Sequence, residues 1–579
     1  MHHIDPNADV NIKINDIPVT VKGGTTILEA ARKVGVHIPT LCHHPDLPVR
    51  ATCRVCIVEV KGQKKFKTAC NTIVEEGFEI HTNTKAIRET RKTILELILA
   101  DHPFDCLKCA RNTNCELQDL AYEYNIREVP FDSVYKTLPI EDNNPSIVRD
   151  MTKCIKCGRC VEACHFVQEV YAINTACRSH DFNITTAYNK DLSESTCTYC
   201  GQCVAVCPVG ALYEKDDTPR VWAALDHPDL HVVVQTAPAI RVALGEAFGI
   251  DPGEVTTGKM VAALRRLGFN KVFDTNFTAD LTIIEEGHEL IHRIKTGGVL
   301  PMMTSCSPGW INFIEKFYPT LLPNVSSCKS PQQMFGALSK TFYAENSGIP
   351  AAKIFSVSIM PCTAKKYECT RPEMRSSGYQ DVDVVLTTRE LSRMIDEAGI
   401  DFVNLPDEEY DSPFGLSTGA AVIFGASGGV MEAALRTVYE VVTGSELKDL
   451  DFKAVRGYTD IREAELDLAG TKVRIAVTSS LKNARVLLEQ IKKGESNYHF
   501  IEIMACPGGC IGGGGQPFRA TAAIKANRAS AVYQIDCCQE FRQSHKNPAI
   551  TEIYEKFLKE PLGHKSHDLL HTHYTARKV

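Results

Sequence analysis

Residues 154–164, CIKCGRCVEAC, and 197–208, CTYCGQCVAVCP, decide how this 579-residue chain is read. Each is a C-x2-C-x2-C-x3-C run. Together they form the bacterial two-cluster pattern, in which the last cysteine of one run ligates the cluster of the other. Cys207 is therefore expected to complete the cube of Cys154, Cys157 and Cys160, and Cys164 that of Cys197, Cys200 and Cys203.

Two further arrays stand upstream. Cys42, Cys53, Cys56 and Cys70 follow a C-x10-C-x2-C-x13-C spacing, close to the plant-type ferredoxin pattern of a 2Fe-2S cluster. His102, Cys106, Cys109 and Cys115 offer one imidazole and three thiolates, a set suited to a 4Fe-4S cubane or to a closed zinc site. The neighbouring clusters favour iron. Sixteen of the 24 cysteines lie within the first 207 residues, and all of these except Cys177 stand at cluster spacing. Low-potential clusters in series make a conductor for electrons between two redox sites.

Composition narrows the classes. A hydrophobic share of 44% is ordinary for globular domains. The 64 Lys and Arg are interspersed with 71 Asp and Glu for a net charge of -7, which leaves no basic footprint for nucleic acid. The opening MHHIDPNADV lacks the apolar stretch of a secretory signal, and no run reaches 18 uninterrupted apolar residues. A cytoplasmic protein without a membrane span is expected. So are reduced, metal-bound thiols and an anaerobic setting.

The pattern along the chain predicts its organisation. Residues 10–22 alternate about a turn at Asn15-Asp16, 27–35 have helical spacing and 54–62 read as a strand, together resembling a ferredoxin β-grasp. Residues 86–100, AIRETRKTILELILA, form an amphipathic helix that delivers His102 to its cluster. A Pro- and Asp-rich linker over 126–150 leads to the two-cluster module, which ends near Asp217. Beyond it, apolar runs at 231–235, 271–275, 300–305, 353–360, 381–388, 472–479 and 499–504 mostly alternate with helical stretches, the pattern of largely parallel sheets wrapped by helices. The expected class is thus a multidomain α+β and α/β chain. Its parts are a β-grasp 2Fe-2S domain (1–83), a 4Fe-4S segment with one histidine and three cysteine ligands (84–125), a two-4Fe-4S ferredoxin domain (140–217), an α/β catalytic domain (218–519) and a small C-terminal element (520–579). Ligands of parallel sheets sit beyond the strands' carboxyl ends, where Cys306, Cys362, Cys506 and Cys510 fall.

The segments TSCSPGW (304–310), MPCTAKKYE (360–368) and EIMACPGGCIGGGGQP (502–517) resemble the three signature loops of the FeFe hydrogenases, and the similarity spans essentially the whole chain. The resemblance implies reversible formation of hydrogen from two protons and two electrons. It implies an H-cluster, a 4Fe-4S cube joined through Cys510 to a diiron unit carrying CO, cyanide and dithiolate, with Cys362, Cys506 and Cys510 as ligands. Glu286, Glu289 and Arg293 share one helix face by their spacing. By resemblance Glu286 and Glu289 carry protons with Ser326 and Cys306, the last donor. Lys365 would bind a diiron cyanide, and Pro238, Gln332, Met360 and Met504 would line the pocket. The proton couple at pH 7, taken at ~59 mV per pH unit, lies roughly 410 mV below zero, level with ferredoxin-type clusters at about -400 mV.

The nearest likeness is to catalytic subunits of NAD(P)-linked multisubunit hydrogenases. No G-x-G-x-x-G fingerprint follows a strand here, so flavin and nicotinamide sites are expected on partner subunits of a hetero-oligomer. Ferredoxin and maturation proteins are the other expected partners. One position departs from the family: its first loop carries a second cysteine as cube ligand where this chain has Ser307. Three readings stand, a Ser307 alkoxide, a shift of Cys306, or an altered cluster, with Cys328 also near in sequence. The alternative function is a hydrogenase-like electron-transfer or sensory subunit without the diiron unit. Cys177, Cys369, Cys537 and Cys538 read as packing or surface thiols, and His564, His567, His571 and His573 as a polar helix and tail.

Overall fold

The computed structural model describes residues 5–457, 460–468 and 470–578, so the first four residues of the N-terminal stretch and Val579 lie outside it. β1 (Asp9–Ile14) alternates exposed and buried side chains and pairs antiparallel with β2 (Ile17–Lys22). Asn15 and Asp16 link them with φ of 48° and 66°, the left-handed pair that a two-residue hairpin favours. Thr26 and Glu29 close a capping box at the start of the helix Ile27–Lys33. β3 (Ile57–Val60), β4 (Lys67–Thr68) and β5 (Glu79–His81) complete a five-stranded sheet in the order β2-β1-β5-β3-β4. The strand expected over 54–62 is shorter at its start. Arg54 takes φ 61°, and the turn it makes carries Cys53 and Cys56.

The helix Lys85–Ala100, capped by Thr84, ends two residues before His102 as its pattern predicts. In the next module β6 (Ile147–Arg149), β7 (Asn174–Ala176), β8 (Asn183–Thr185) and β9 (Leu212–Glu214) form two small ribbons, β6 with β9 and β7 with β8. Short helices Arg159–Glu162 and Gln202–Ala205 lie within the two cysteine runs.

The C-terminal half holds β10 (His231–Thr236), β11 (Lys271–Asp274), β12 (Met302–Met303), β13 (Ile354–Met360), β14 (Val384–Thr387), β15 (Arg462–Leu468), β16 (Thr471–Ser479) and β17 (Phe500–Met504). They make two four-stranded sheets. One, β11-β10-β13-β14, is wholly parallel; the other, β12-β17-β16-β15, is parallel except for the β15/β16 hairpin. All seven apolar runs read from the sequence contain strands. β15 is not among them, because its exposed positions are Glu463, Glu465 and Asp467, which mask the alternation of an edge strand.

The helix Thr275–Thr296 is buried over nearly its whole first two-thirds. It packs against Pro331–Ser339 on one side and Gly429–Thr443 on another. The C-terminal segment returns across this helix. Lys329 N donates to Leu570 O at 2.8 Å and Thr572 N to Ser327 O at 2.7 Å, a bridge that registers His571 opposite Cys328. Among the described residues no helix is long and apolar enough to cross a membrane.

Candidate active site and cluster sites

A cavity of about 80 Å³ opens where the ends of the two sheets meet, several times the ~10–15 Å³ that one water needs. Cys306 and Ser307 enter it from beyond β12, Cys362 from beyond β13, and Cys506 and Cys510 from beyond β17. Pro238, Gln332, Met360, Met504 and Lys365 complete the wall with apolar neighbours such as Phe424. Every expected pocket residue is therefore present in one place.

Local backbone explains how the glycine loop reaches it. Gly509 has φ 86°, and a Cβ there would stand 2.7 Å from Ser427 N. At Gly514 a Cβ would meet Cys200 O at 2.5 Å, so only glycine lets this loop lie against the cysteine run of the preceding module. That docking is reinforced by Thr363 Oγ1 donating to Tyr199 O at 2.7 Å and Gln202 Nε2 donating to Gly512 O at 2.9 Å. Cys200 itself lines the cavity.

The donor set fits an iron-sulfur group. Burial pushes the Cys362 and Cys506 thiols up and takes Cys510 to about 12, so these side chains are costly to ionise without a metal to stabilise the thiolate. Ser307 is the odd member. It starts the helix Pro308–Phe317 without capping it, and its Oγ accepts from Ala505 N at 3.2 Å at the cavity wall. Cys328 does not line this cavity; its Sγ lies 3.8 Å from Glu289 Oε2 on the far side of the wall. Of Cys306 and Cys328, the two sulfurs near Ser307 in sequence, only Cys306 lines the cavity.

Behind Cys306 runs a file of polar groups. Burial, and next the charge of Glu286, push the Cys306 thiol well above its ordinary value. Glu286 is 2% exposed, with Oε1 lacking a partner, and burial followed by repulsion from Glu289 takes its carboxyl up to about 8. Ser326 Oγ donates to Glu289 Oε2 at 2.8 Å, and Arg293 holds Glu289 Oε1 at 2.6 Å. Arg293 also reaches the carbonyls of Val299, Pro323 and Val325. Lys365 Nζ lies 2.9 Å from Glu368 Oε2 and 3.1 Å from Cys306 O. Sequence reasoning missed Glu368, which also accepts from Ser330 and Gln332. Its signal is the i, i+3 spacing from Lys365.

Members of the accessory arrays also come together. Cys154, Cys157, Cys160 and Cys207 line one small apolar cavity, and Cys164 stands near enough to Cys197, Cys200 and Cys203 to perturb their thiols. Backbone amides of Lys156, Ala172 and Tyr199 point at Cys154, Cys164 and Cys197 Sγ at 3.3–3.4 Å, donors that tune a cluster's potential. Cys42 lies within hydrogen-bond reach of Cys53 and Cys70, and Cys56 of Cys70. His102 Nδ1 is buried without a partner, and burial lowers its pKa, which keeps the ring neutral as a ligand requires. Cys106 is exposed. Cys369 is buried and Cys177, Cys537 and Cys538 are exposed. His571 departs from the polar tail expected of it: it is buried, with Nε2 3.0 Å from Glu285 Oε2.

Family models match along most of the chain. The iron only hydrogenase large subunit, C-terminal domain, matches residues 230–514 and the iron hydrogenase small subunit 522–577. A 2Fe-2S iron-sulfur cluster binding domain matches 7–85, the iron-sulfur binding region of NADH-ubiquinone oxidoreductase-G 91–130, and the ferredoxin-like domain of NADH-quinone oxidoreductase subunit 3 144–213. The NADP-reducing hydrogenase subunit HndD of Solidesulfovibrio fructosivorans is 48% identical, over 98% of this chain and 99% of its own length. Iron hydrogenase 1 of Clostridium pasteurianum is 42% identical over 97% and 99%. A solved structure of the FeFe-hydrogenase HydA1 from Chlamydomonas reinhardtii superposes with a TM-score of 0.57 and 44% identity, covering 63% of this chain and 100% of that one.

Proposed function

Since the chain belongs to the iron-only hydrogenase family as a large, catalytic subunit, we propose that it interconverts two protons and two electrons with hydrogen at an H-cluster held by Cys362, Cys506 and Cys510. The carrying observation is the single cavity that gathers these three thiols, Cys306, Ser307 and Lys365. When bound, the H-cluster supplies a cube coupled to a diiron unit with CO, cyanide and dithiolate ligands, able to store electrons and bind hydrogen.

The protein's own residues handle protons and exclude water. Cys306, kept protonated by burial and by Glu286, is the donor at the cavity wall. Glu286, with its carboxyl at about 8, exchanges protons at neutral pH. Ser326 spans the gap towards Glu289, and Arg293 orients Glu289 at the outer end. Lys365, steadied by Glu368, presents a cation to an anionic ligand in the cavity.

Electrons enter through one 2Fe-2S and three accessory 4Fe-4S clusters, and the docking of Cys200 against the glycine loop supports transfer from the last of them. The division at 1–83, 84–125, 140–217, 218–519 and 520–579 belongs to this reading, as does a cytoplasmic setting. The NADP-reducing relative supports flavin- and NAD(P)-binding partner subunits, with ferredoxin as the other donor and maturation proteins installing the diiron unit. Ser307 favours a second reading, a hydrogenase-like electron-transfer or sensory subunit with an altered or absent diiron site. Infrared spectra of the matured protein decide between the two. CO and cyanide bands together with hydrogen turnover against NAD, NADP and ferredoxin support the enzyme; intact cubanes with neither support the alternative.

A further inference from the structure

Cys328 and His571 take no part in the reaction as proposed, yet they meet Glu289 in a tight group. Cys328 Sγ lies 3.8 Å from Glu289 Oε2 and 4.0 Å from His571 Nδ1, and the three ligand atoms fall within 4.8 Å of one another with all three residues buried. They come from distant parts of the chain. Glu289 is on the buried helix Thr275–Thr296, Cys328 follows Ser326 and Ser327 in the stretch before the helix Pro331–Ser339, and His571 is registered against Cys328 by the backbone bridge of the C-terminal tail.

The separations approach those of a coordination sphere. Zinc bonds of about 2.3 Å to sulfur and about 2.0 Å to nitrogen or oxygen place tetrahedral ligands about 3.5 Å apart. The group therefore needs a contraction of roughly half an ångström at its sulfur. The imidazole is already oriented. Its Nε2 faces Glu285 Oε2 at 3.0 Å, and Glu285 is itself held by Ser566 at 2.6 Å, by the Leu562 amide at 2.9 Å and by Tyr554. That carboxylate accepts a hydrogen bond from Nε2–H in the tautomer in which Nδ1 keeps its lone pair, the outer-shell arrangement of metal-bound histidines. Ser327 Oγ, 2.8 Å from Nδ1, occupies the direction of that lone pair. Arg293 engages Oε1 of Glu289 at 2.6 Å, while Oε2, the oxygen nearest Cys328 Sγ, accepts from Ser326 Oγ at 2.8 Å and Ser327 N at 3.1 Å, bonds that a cation would have to share or displace. One carboxylate and one thiolate would neutralise a divalent cation, and the mixture of thiolate, imidazole and carboxylate suits zinc rather than magnesium or calcium.

We propose that Glu289, Cys328 and His571 form a binding site for a zinc-class divalent cation, and that its occupation withdraws Glu289 from proton transfer and stops hydrogen turnover. Binding releases the Cys328 thiol proton to solvent and changes no oxidation state. The inhibition rests on the proton route proposed above; the binding does not.

The test uses the cluster-loaded full chain under anaerobic conditions, with Zn2+ alone as the probe. Equilibrium dialysis counts the bound metal, zinc K-edge absorption reads its neighbours, and hydrogen turnover is followed in parallel. One tightly bound zinc with a single sulfur neighbour is expected. Cys328→Ser and His571→Gln each weaken it by more than the ~10–100-fold typical of losing an outer-shell partner, while metal-free turnover of Cys328→Ser matches the parent. Zinc held equally by Cys328→Ser, or a sulfur-free site lost with the exposed His564, His567 and His573, overturns the proposal. Sulfur-ligated zinc that leaves turnover untouched upholds the site and overturns the role of Glu289 in proton transfer.

Discussion

Gln202 donates from its side-chain amide to the carbonyl of Gly512 at 2.9 Å, tying the second cysteine run to the glycine loop of the catalytic cavity. The bond belongs to a seam in which backbone meets backbone at Gly201 and Gly514. On the proposed electron route, transfer into the cavity depends on how closely that seam is held.

Gln202→Ala removes one hydrogen bond, about 1 kcal/mol, and is expected to slow turnover by no more than about tenfold. Gly514→Ala is the severe change, because its Cβ meets Cys200 O at 2.5 Å and Gly201 Cα at 2.6 Å, both backbone atoms. Its expected outcome is a loss of more than about tenfold in turnover, with cluster reduction that stalls at the accessory sites in rapid-freeze electron paramagnetic resonance. Normal filling of the catalytic cube in Gly514→Ala would contradict a seam that conducts.

Ser307→Cys replaces a hard oxygen at the cavity wall by a soft sulfur donor. Iron content per chain and resistance of the cube to chelators should both rise, and Ser307→Ala should lower them. Equal iron content and equal cube potential in all three proteins would show that residue 307 is not a ligand.

Glu286→Gln is expected to cut turnover by about 100-fold or more, the scale of a lost acid-base group. It should also change how stability depends on pH. The folded carboxyl, at about 8, sits above its ordinary value of 4.5. The folded state therefore holds a proton that the unfolded chain has lost between those values. The stability from burying the neutral acid is complete below the lower value and drains away as pH rises to the upper one. Thermal scans of Glu286→Gln should accordingly gain on the parent from about pH 5 to about pH 8. Parallel curves would place the Glu286 pKa near that of an ordinary glutamate.

Arg389 joins the ferredoxin module to the catalytic domain, pairing with Glu214 at 2.7 Å while donating to Gly514 O at 2.8 Å. Burial alone would raise the Glu214 pKa, but the charges of Arg389 and Arg393 and their hydrogen bonds hold it well below the usual carboxylate range. Its contribution is thus present above the ordinary glutamate value and is lost as pH falls below it. Arg389→Ala leaves that buried carboxylate with Arg393 alone, at 2.9 Å, and is expected to cost less than the ~3–5 kcal/mol of a buried charge left wholly unpaired. The double change with Glu214→Ala should be less damaging, as differential scanning of the holo-protein would reveal.

Sequence spacing exposes the cysteine arrays because cluster ligands must recur at short, rigid intervals, and it exposes the parallel strands because each is a continuous apolar run. It also places Cys306, Cys362, Cys506 and Cys510 beyond strand ends. What it does not carry is the division of those strands into two sheets, since pairing is a matter of distant partners rather than local pattern. β15 is hidden by its own Glu463, Glu465 and Asp467. His571 reads as a surface histidine in a polar tail, and only the bridge to Cys328 and the buried Glu285 give it another character. Glu368 and Glu285 follow the same rule, being ordinary helix carboxylates until the fold closes over them.

The tail that pairs with Ser327 and Lys329 continues to Arg577, whose guanidinium meets Glu315 at 2.8 Å. Its residues cover Glu285 through Leu562, Ser566 and His571. Peeling this strap away would therefore wet the buried helix that carries both Glu285 and Glu289.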